Sequence, residues 1–218
     1  MKNVSKEDYL SVIFKNLGQD GDIKPNIIAS KLSISNAAVT DMLKKLAKDK
    51  LVEYEPYKGI RLTIEGGNYA RNMVRRHRIW EVFLTSIVGM PWDKVHDEAN
   101  RLEHSSSDDL INRLEEILNF PEYDPHGDPI PSKSGKIPKL KKHRALSELI
   151  EGESGKVVRV NDFDEKFLVY ISELGIKLDE NISVKQKRTF DKSMEIVIKR
   201  KPWNISEKLA KNVFIEVK

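Results

Sequence analysis

Hydrophobic residues recur at helical spacing through the first half of the chain and at alternate positions through its last third. Tyr9, Val12, Ile13 and Leu17 predict a helix over about residues 5–17 with one buried stripe. A second helix, about 25–32, opens on Pro25, where a missing N–H costs nothing, and carries Ile27, Ile28 and Leu32. After a short turn at 33–35, Ser35 can cap a third helix over about 36–49, with Val39, Leu43 and Leu46 facing inward. Two extended runs, 51–57 and 60–63, flank a turn at Lys58–Gly59 and read as a β-hairpin. Helix, tight turn, helix, hairpin is the order of a winged helix-turn-helix. Ser106 or Ser107 can cap a later helix over 107–119, whose first turn holds Asp108 and Asp109. Leu110, Ile111, Leu114, Ile117 and Leu118 give that helix an apolar face suited to a dimer contact.

The last third changes period. Ile182 and Val184, Ile196 and Ile198, and Val213, Ile215 and Val217 alternate with polar residues and predict around five short strands in a small antiparallel barrel or sheet. Between the two patterns, residues 120–143 hold Pro121, Pro125, Pro129, Pro131 and Pro138 with Gly127 and Gly135, which reads as an extended linker. The expected class is mainly α with C-terminal β. The expected division is a winged helix over 1–64, a helical unit over 65–120, a proline-rich linker over 121–143 and a small β-barrel over 144–218.

On the winged-helix reading, residues 36–48 form the recognition helix. Ser35, Asn36, Ala37, Ala38 and Thr40 are small or polar and let the helix approach base edges in a major groove about 12 Å wide. Lys44 and Lys45 on the helix, and Lys58 and Arg61 on the wing, can reach phosphates of double-stranded DNA. The net charge of +4 is compatible with that partner. No apolar run approaches the ~20 residues that span a bilayer, and the opening MKNVSKEDYL has no apolar signal region. A cytoplasmic protein without a membrane partner is expected.

The chain has no cysteine, so any metal site must use nitrogen and oxygen. Such donors cluster. His77 and Glu81 stand one helical turn apart in RRHRIWEVFL. His96, Asn100, Glu103 and His104 fall at i, i+4, i+7 and i+8 in VHDEANRLEH, within a sector of about 100°. Two imidazoles, an amide and a carboxylate make a poor core stripe and a good ligand stripe. Asp8 on the first helix is the natural bridge to them. The set suits Mn²⁺ or Fe²⁺, and Zn²⁺ would also bind. His126 and His143, in the linker, read as surface residues.

The segment 75–104, RRHRIWEVFLTSIVGMPWDKVHDEANRLEH, with EDYL (7–10) and HGDPIP (126–131), resembles the diphtheria toxin repressor family, which includes iron-dependent repressors and manganese transport regulators. The resemblance covers essentially the whole chain. It implies a dimeric metal-activated repressor that binds a palindromic operator, with a helical metal-binding and dimerisation domain and a C-terminal barrel of the FeoA type. His77, Glu81 and His96 match the family's ancillary site; Asp8, Asn100, Glu103 and His104 match its activating site. Asp8 stands where manganese-type members carry aspartate and iron-type members methionine. Asn100 departs from both patterns, and Ser11 stands where a closely spaced two-metal site has glutamate. Asp164 and Glu165, in NDFDEKF, are the barrel's candidate extra ligands. Two other functions fit the composition: a metal-dependent hydrolase, although no HExxH or nucleophile motif is present, and a winged-helix regulator sensing an organic ligand.

Overall fold

A computed structural model describes residues 5–18, 21–55, 59–162 and 164–217. The first unit holds α1 (Lys6–Lys15), α2 (Pro25–Leu32), α3 (Asn36–Lys48), β1 (Val52–Glu55) and β2 (Gly59–Leu62). Leu10, Ile13, Ile28, Val39, Leu43, Leu46 and Ile60 form its core; Ile13, Ile28, Val39, Leu43 and Leu46 are among the positions that the helical spacing predicts. Ser5 and Asp8 make a reciprocal capping box on α1: Asp8 N–H donates to Ser5 Oγ at 3.1 Å, and Ser5 N–H to Asp8 Oδ2 at 2.7 Å. Tyr9 Oη donates to the Ala38 carbonyl at 3.4 Å, which ties α1 to the first turn of α3.

A helical unit follows, with α4 (Ile64–Ser86), α5 (Val95–Glu103) and α6 (Asp108–Ile117). Thr63 caps α4 by accepting from Gly66 N–H at 3.0 Å. A Cβ on Gly66 would stand 1.8 Å from the Leu51 carbonyl oxygen, so only glycine lets α4 start against the winged helix. α4 packs against α1, α5 and α6. Its buried Arg75 binds Glu115 at 2.5 Å and Asn112 at 2.9 Å on α6. Ser107 caps α6; Ser106 instead accepts from Trp80 Nε1 at 2.8 Å.

Residues 119–143 contain no helix or strand, but they are a packed strap rather than a spacer. Asp124, His126 and Ile130 are buried. Asp124 Oδ1 accepts from His126 N–H at 2.9 Å and Asp128 N–H at 3.0 Å, while Val160 N–H donates to the His126 carbonyl at 2.9 Å. Gly127 has φ +91°, and a Cβ there would meet the Val158 carbonyl oxygen at 2.1 Å. Gly127→Ala is therefore expected to lower the thermal midpoint and release His126; an unchanged midpoint with His126 still protected from carbethoxylation would contradict this close fit.

The C-terminal unit holds β3 (Arg144–Ala145), β4 (Ser154–Val160), α7 (Glu165–Glu173), β5 (Asn181–Lys187), β6 (Met194–Ile198), β7 (Lys201–Ile205), α8 (Glu207–Ala210) and β8 (Val213–Val217). Its strands form one antiparallel sheet in the order β3-β8-β4-β5-β6-β7, open between β3 and β7 among the described residues. Ile182, Val184, Ile196, Ile198, Val213 and Ile215 all point into its core, as their alternation predicts. Helices α7 and α8 replace part of the expected strand content. Val169, Tyr170 and Ile171 favour strands in isolation, but the Asp164 cap and the buried pair Leu168 and Ile171 make a helix there. No helix among the described residues is long and apolar enough to cross a membrane.

Candidate metal centre

Among the described residues three groups of imidazole and carboxylate side chains come together: His77, Glu81 and His96; Asp8, Glu103 and His104; and Glu81, His126 and Asp162. Within each, one donor atom per residue lies within 4.8 Å of the others. Asp8, His77, His96, Glu103, His104 and Asp162 line a cleft of about 1270 Å³ that also receives Asn100, Ser11 and Lys15.

In the first group, His77 Nε2 faces Glu81 Oε1 at 3.0 Å and His96 Nδ1 at 3.0 Å, and His96 Nδ1 lies 3.3 Å from the same Glu81 oxygen. His77 and Glu81 are buried. Glu103 Oε2 sits 2.5 Å from His77 Nδ1. That carboxylate holds a proton on Nδ1 and leaves Nε2 turned towards Glu81 and His96. Burial opposes the His77 imidazolium, but the Glu81 charge and the hydrogen bonds that His77 donates to Glu103 and Glu81 outweigh it and bring the pKa up to about 9. This value is raised above the ordinary 6.5, so protonated His77 stabilises the cation-free fold fully below about pH 6.5, and the contribution is lost as pH rises through about 9. A cation taken up at Nε2 would displace a proton in that window. Apparent Mn²⁺ affinity is expected to rise with pH by up to about tenfold per unit. Calorimetry in two buffers of different ionisation enthalpy counts the released proton; proton-free uptake would contradict the assignment.

In the second group, His104 Nε2 lies 3.3 Å from Asp8 Oδ1 and 3.4 Å from Glu103 Oε1. Asp8 thus caps α1 with one oxygen and turns the other to the donor group. Glu103 serves both groups, one oxygen on each side. Asn100 lies half-buried on α5, in the cleft beside them.

The third group escaped the sequence. His126 is fully buried, which overturns its reading as a surface residue. Its Nε2–H donates to the Trp92 carbonyl at 3.0 Å, and its ring stacks on the Trp92 indole with centroids 5.6 Å apart. Nδ1 is then a lone pair, and it is buried without a hydrogen-bond partner; so is Glu81 Oε2. Orphaned buried polar atoms are costly, and a donor pair of this chemistry fits a cation. Asp162, just after β4, brings the third donor. Nearby, burial and the Glu81 charge push Asp124 up to about 7 despite Arg78 at 3.2 Å, a sign of how much negative charge is gathered here. The expected barrel donors lie elsewhere. Asp164 accepts from Lys166 N–H at 2.9 Å as the α7 cap, and Glu165 borders the cleft outside the three groups. His126 became buried only because the strap folds onto β4, which no local pattern announces. The Asp-Pro-His-Gly turn was the one available signal.

On the winged helix, Asn36, Ala37, Ala38, Lys44 and Lys45 are exposed along α3, and Arg61 is exposed on β2. Ser35 Oγ is occupied as the α3 cap, accepting from Ala38 N–H at 3.2 Å, and Thr40 Oγ1 donates to the Asn36 carbonyl at 3.0 Å. Lys58 lies outside the described residues.

Comparison with known proteins agrees with this layout. Residues 3–60 match the iron-dependent repressor N-terminal DNA-binding domain, 63–132 the iron-dependent repressor metal-binding and dimerisation domain, and 144–217 the FeoA domain. The chain is 32% identical over 120 residues to the HTH-type transcriptional regulator MntR of Oceanobacillus iheyensis, covering 55% of this chain and 81% of the relative. It is 37% identical over 126 residues to the diphtheria toxin repressor of Corynebacterium glutamicum, covering 57% of this chain and 55% of the relative. A solved manganese-dependent transcriptional repressor in complex with manganese superposes with a TM-score of 0.89 at 34% identity, covering 98% of this chain and 100% of the other. These relatives are regulators or repressors, which leaves the hydrolase and organic-ligand readings without support. With DNA-binding, metal-binding and FeoA units matched in sequence order, the chain belongs to the iron-dependent repressor family of DNA-binding transcriptional regulators.

Proposed function

We propose that this protein is a cytoplasmic repressor of metal homeostasis that binds a palindromic operator as a homodimer when charged with Mn²⁺ or Fe²⁺. The observation that carries this reading is the path through α1. Asp8 belongs to a donor group with Glu103 and His104, and its neighbour Tyr9 donates to Ala38 in the first turn of α3. One short helix therefore joins candidate ligands to the DNA-reading element. A divalent cation supplies the positive charge that these carboxylates lack.

The residues divide the work. Asp8, Glu103 and His104, with Asn100 beside them, would hold one ion between α1 and α5. His77, Glu81 and His96 would hold another, and His126 and Asp162 share Glu81 from the other side. An unfilled site leaves Asp8 and Glu103 repelling each other across the α1–α5 boundary, so α1 and α3 sample other positions; closing it raises the population that fits DNA. Asn36, Ala37, Ala38 and Thr40, with Ser35 at the helix start, would face bases. Lys44, Lys45, Lys58 and Arg61 would face phosphates, making binding salt-sensitive. Exposed Leu110 and Ile117 on α6, with Phe120 just after it, offer the apolar face a second copy would cover.

Fluorescence anisotropy on DNA from the gene's own promoter, at fixed salt with Mn²⁺ or with chelator, tests the reading. A gain of about 5- to 150-fold with Mn²⁺ is expected. Equal binding in excess chelator would end it.

A further inference from the structure

Glu7 belongs to none of the three donor groups, yet both of its carboxylate oxygens are engaged. Oε1 accepts from Tyr69 Oη at 2.6 Å, and Oε2 accepts from His104 Nδ1. Glu7 lies in α1, Tyr69 in α4, and His104 at the C-terminal cap of α5, so one carboxylate joins three elements. A neutral imidazole has one N–H and one lone pair, and an acceptor on one nitrogen decides which is which. With Glu7 on Nδ1, the proton stays there and the lone pair is on Nε2. That nitrogen faces Asp8 Oδ1 at 3.3 Å and Glu103 Oε1 at 3.4 Å. His77 is held the same way by Glu103, and His126 by the Trp92 carbonyl. Each of the three groups thus has one histidine whose outward nitrogen is tied down.

We propose that Glu7, oriented by Tyr69, is the positioning residue of the Asp8–Glu103–His104 site: it fixes the tautomer and ring direction of His104 so that Nε2 is presented to a divalent cation. The inference rests on the reading of that group as a cation site. It makes a prediction that a simple tie between helices does not. Partners of this kind change metal affinity by about 10- to 100-fold.

The test uses the full-length protein, titrated with Mn²⁺ by calorimetry. Glu7→Ala is expected to weaken one class of sites about 10- to 100-fold and leave the remainder as in the wild type. Glu7→Gln keeps an acceptor oxygen and should recover most of the loss; Tyr69→Phe should lose less than Glu7→Ala. Long-range nitrogen–proton NMR on the Zn²⁺-loaded wild type should show His104 protonated at Nδ1. Wild-type uptake with an unchanged Glu7→Ala isotherm, or a His104 protonated at Nε2, overturns this inference alone. A wild type that takes up no Mn²⁺ overturns it together with the functional reading. Should Glu7→Ala fail to fold, the wild-type tautomer decides.

Discussion

Glu81→Gln is expected to abolish Mn²⁺-dependent operator binding, cutting Mn²⁺ affinity by at least about 100-fold. Glu81 is buried on α4 and belongs to two donor groups, with Oε1 facing His77 and His96 and Oε2 buried without a hydrogen-bond partner. Among the described residues no other side chain belongs to both the His77–His96 group and the His126–Asp162 group. Glutamine keeps the volume, so the helix still packs. It removes the charge and offers an amide N–H₂ where a lone pair is needed. His77 is also affected: its pKa of about 9 depends on the Glu81 charge, and without that charge burial favours the neutral ring. Calorimetry with Mn²⁺ and anisotropy on the promoter DNA read the two losses separately. A variant that binds Mn²⁺ like the wild type would show that Glu81 is an ordinary buried acid.

Ile117→Asp should yield a monomer and reduce operator affinity by about 100- to 10,000-fold, because the second half-site is then no longer held at high effective concentration. Ile117 is 64% exposed on α6 and Phe120 is 63% exposed just beyond it, while Ile111 and Leu114 of the same helix are buried within the chain. A large apolar pair left in water on one face fits a covered surface. The substitution adds a charge at an exposed position, so the monomer fold should survive with its helical content intact. Light scattering gives the mass, and a dimer that persists at micromolar concentration would locate the contact elsewhere.

The sequence made legible whatever depends on local period. The stripes Tyr9–Ile13, Val39–Leu46 and Ile182–Val184 predicted their elements because helices and strands bury residues at fixed spacings. The pair His77 and Glu81, and the run His96 to His104, were legible for the same reason. What was hidden depends on distant segments meeting. Glu7 reaches His104 across 97 positions. His126 joins Glu81 only because Gly127 lets the strap touch Val158, and Asp162 arrives on the end of β4. Asp164 and Glu165 are the extra barrel donors the resemblance suggests, but the start of α7 uses Asp164 as its cap. Prolines suggested a spacer over 121–143; the hydrogen bonds through Asp124 instead fold that segment into a turn against the C-terminal sheet.

On the proposed function, closing the donor groups across α1, α4 and α5 fixes where α3 stands in a homodimer. The chain contains no cysteine, so Lys48→Cys gives one spin label per protomer at the exposed end of α3. Pulsed dipolar spectroscopy then measures the distance between the two labels. A broad distribution in chelator that collapses to one narrow peak with Mn²⁺ is the predicted result; the same distribution in both conditions would contradict the account.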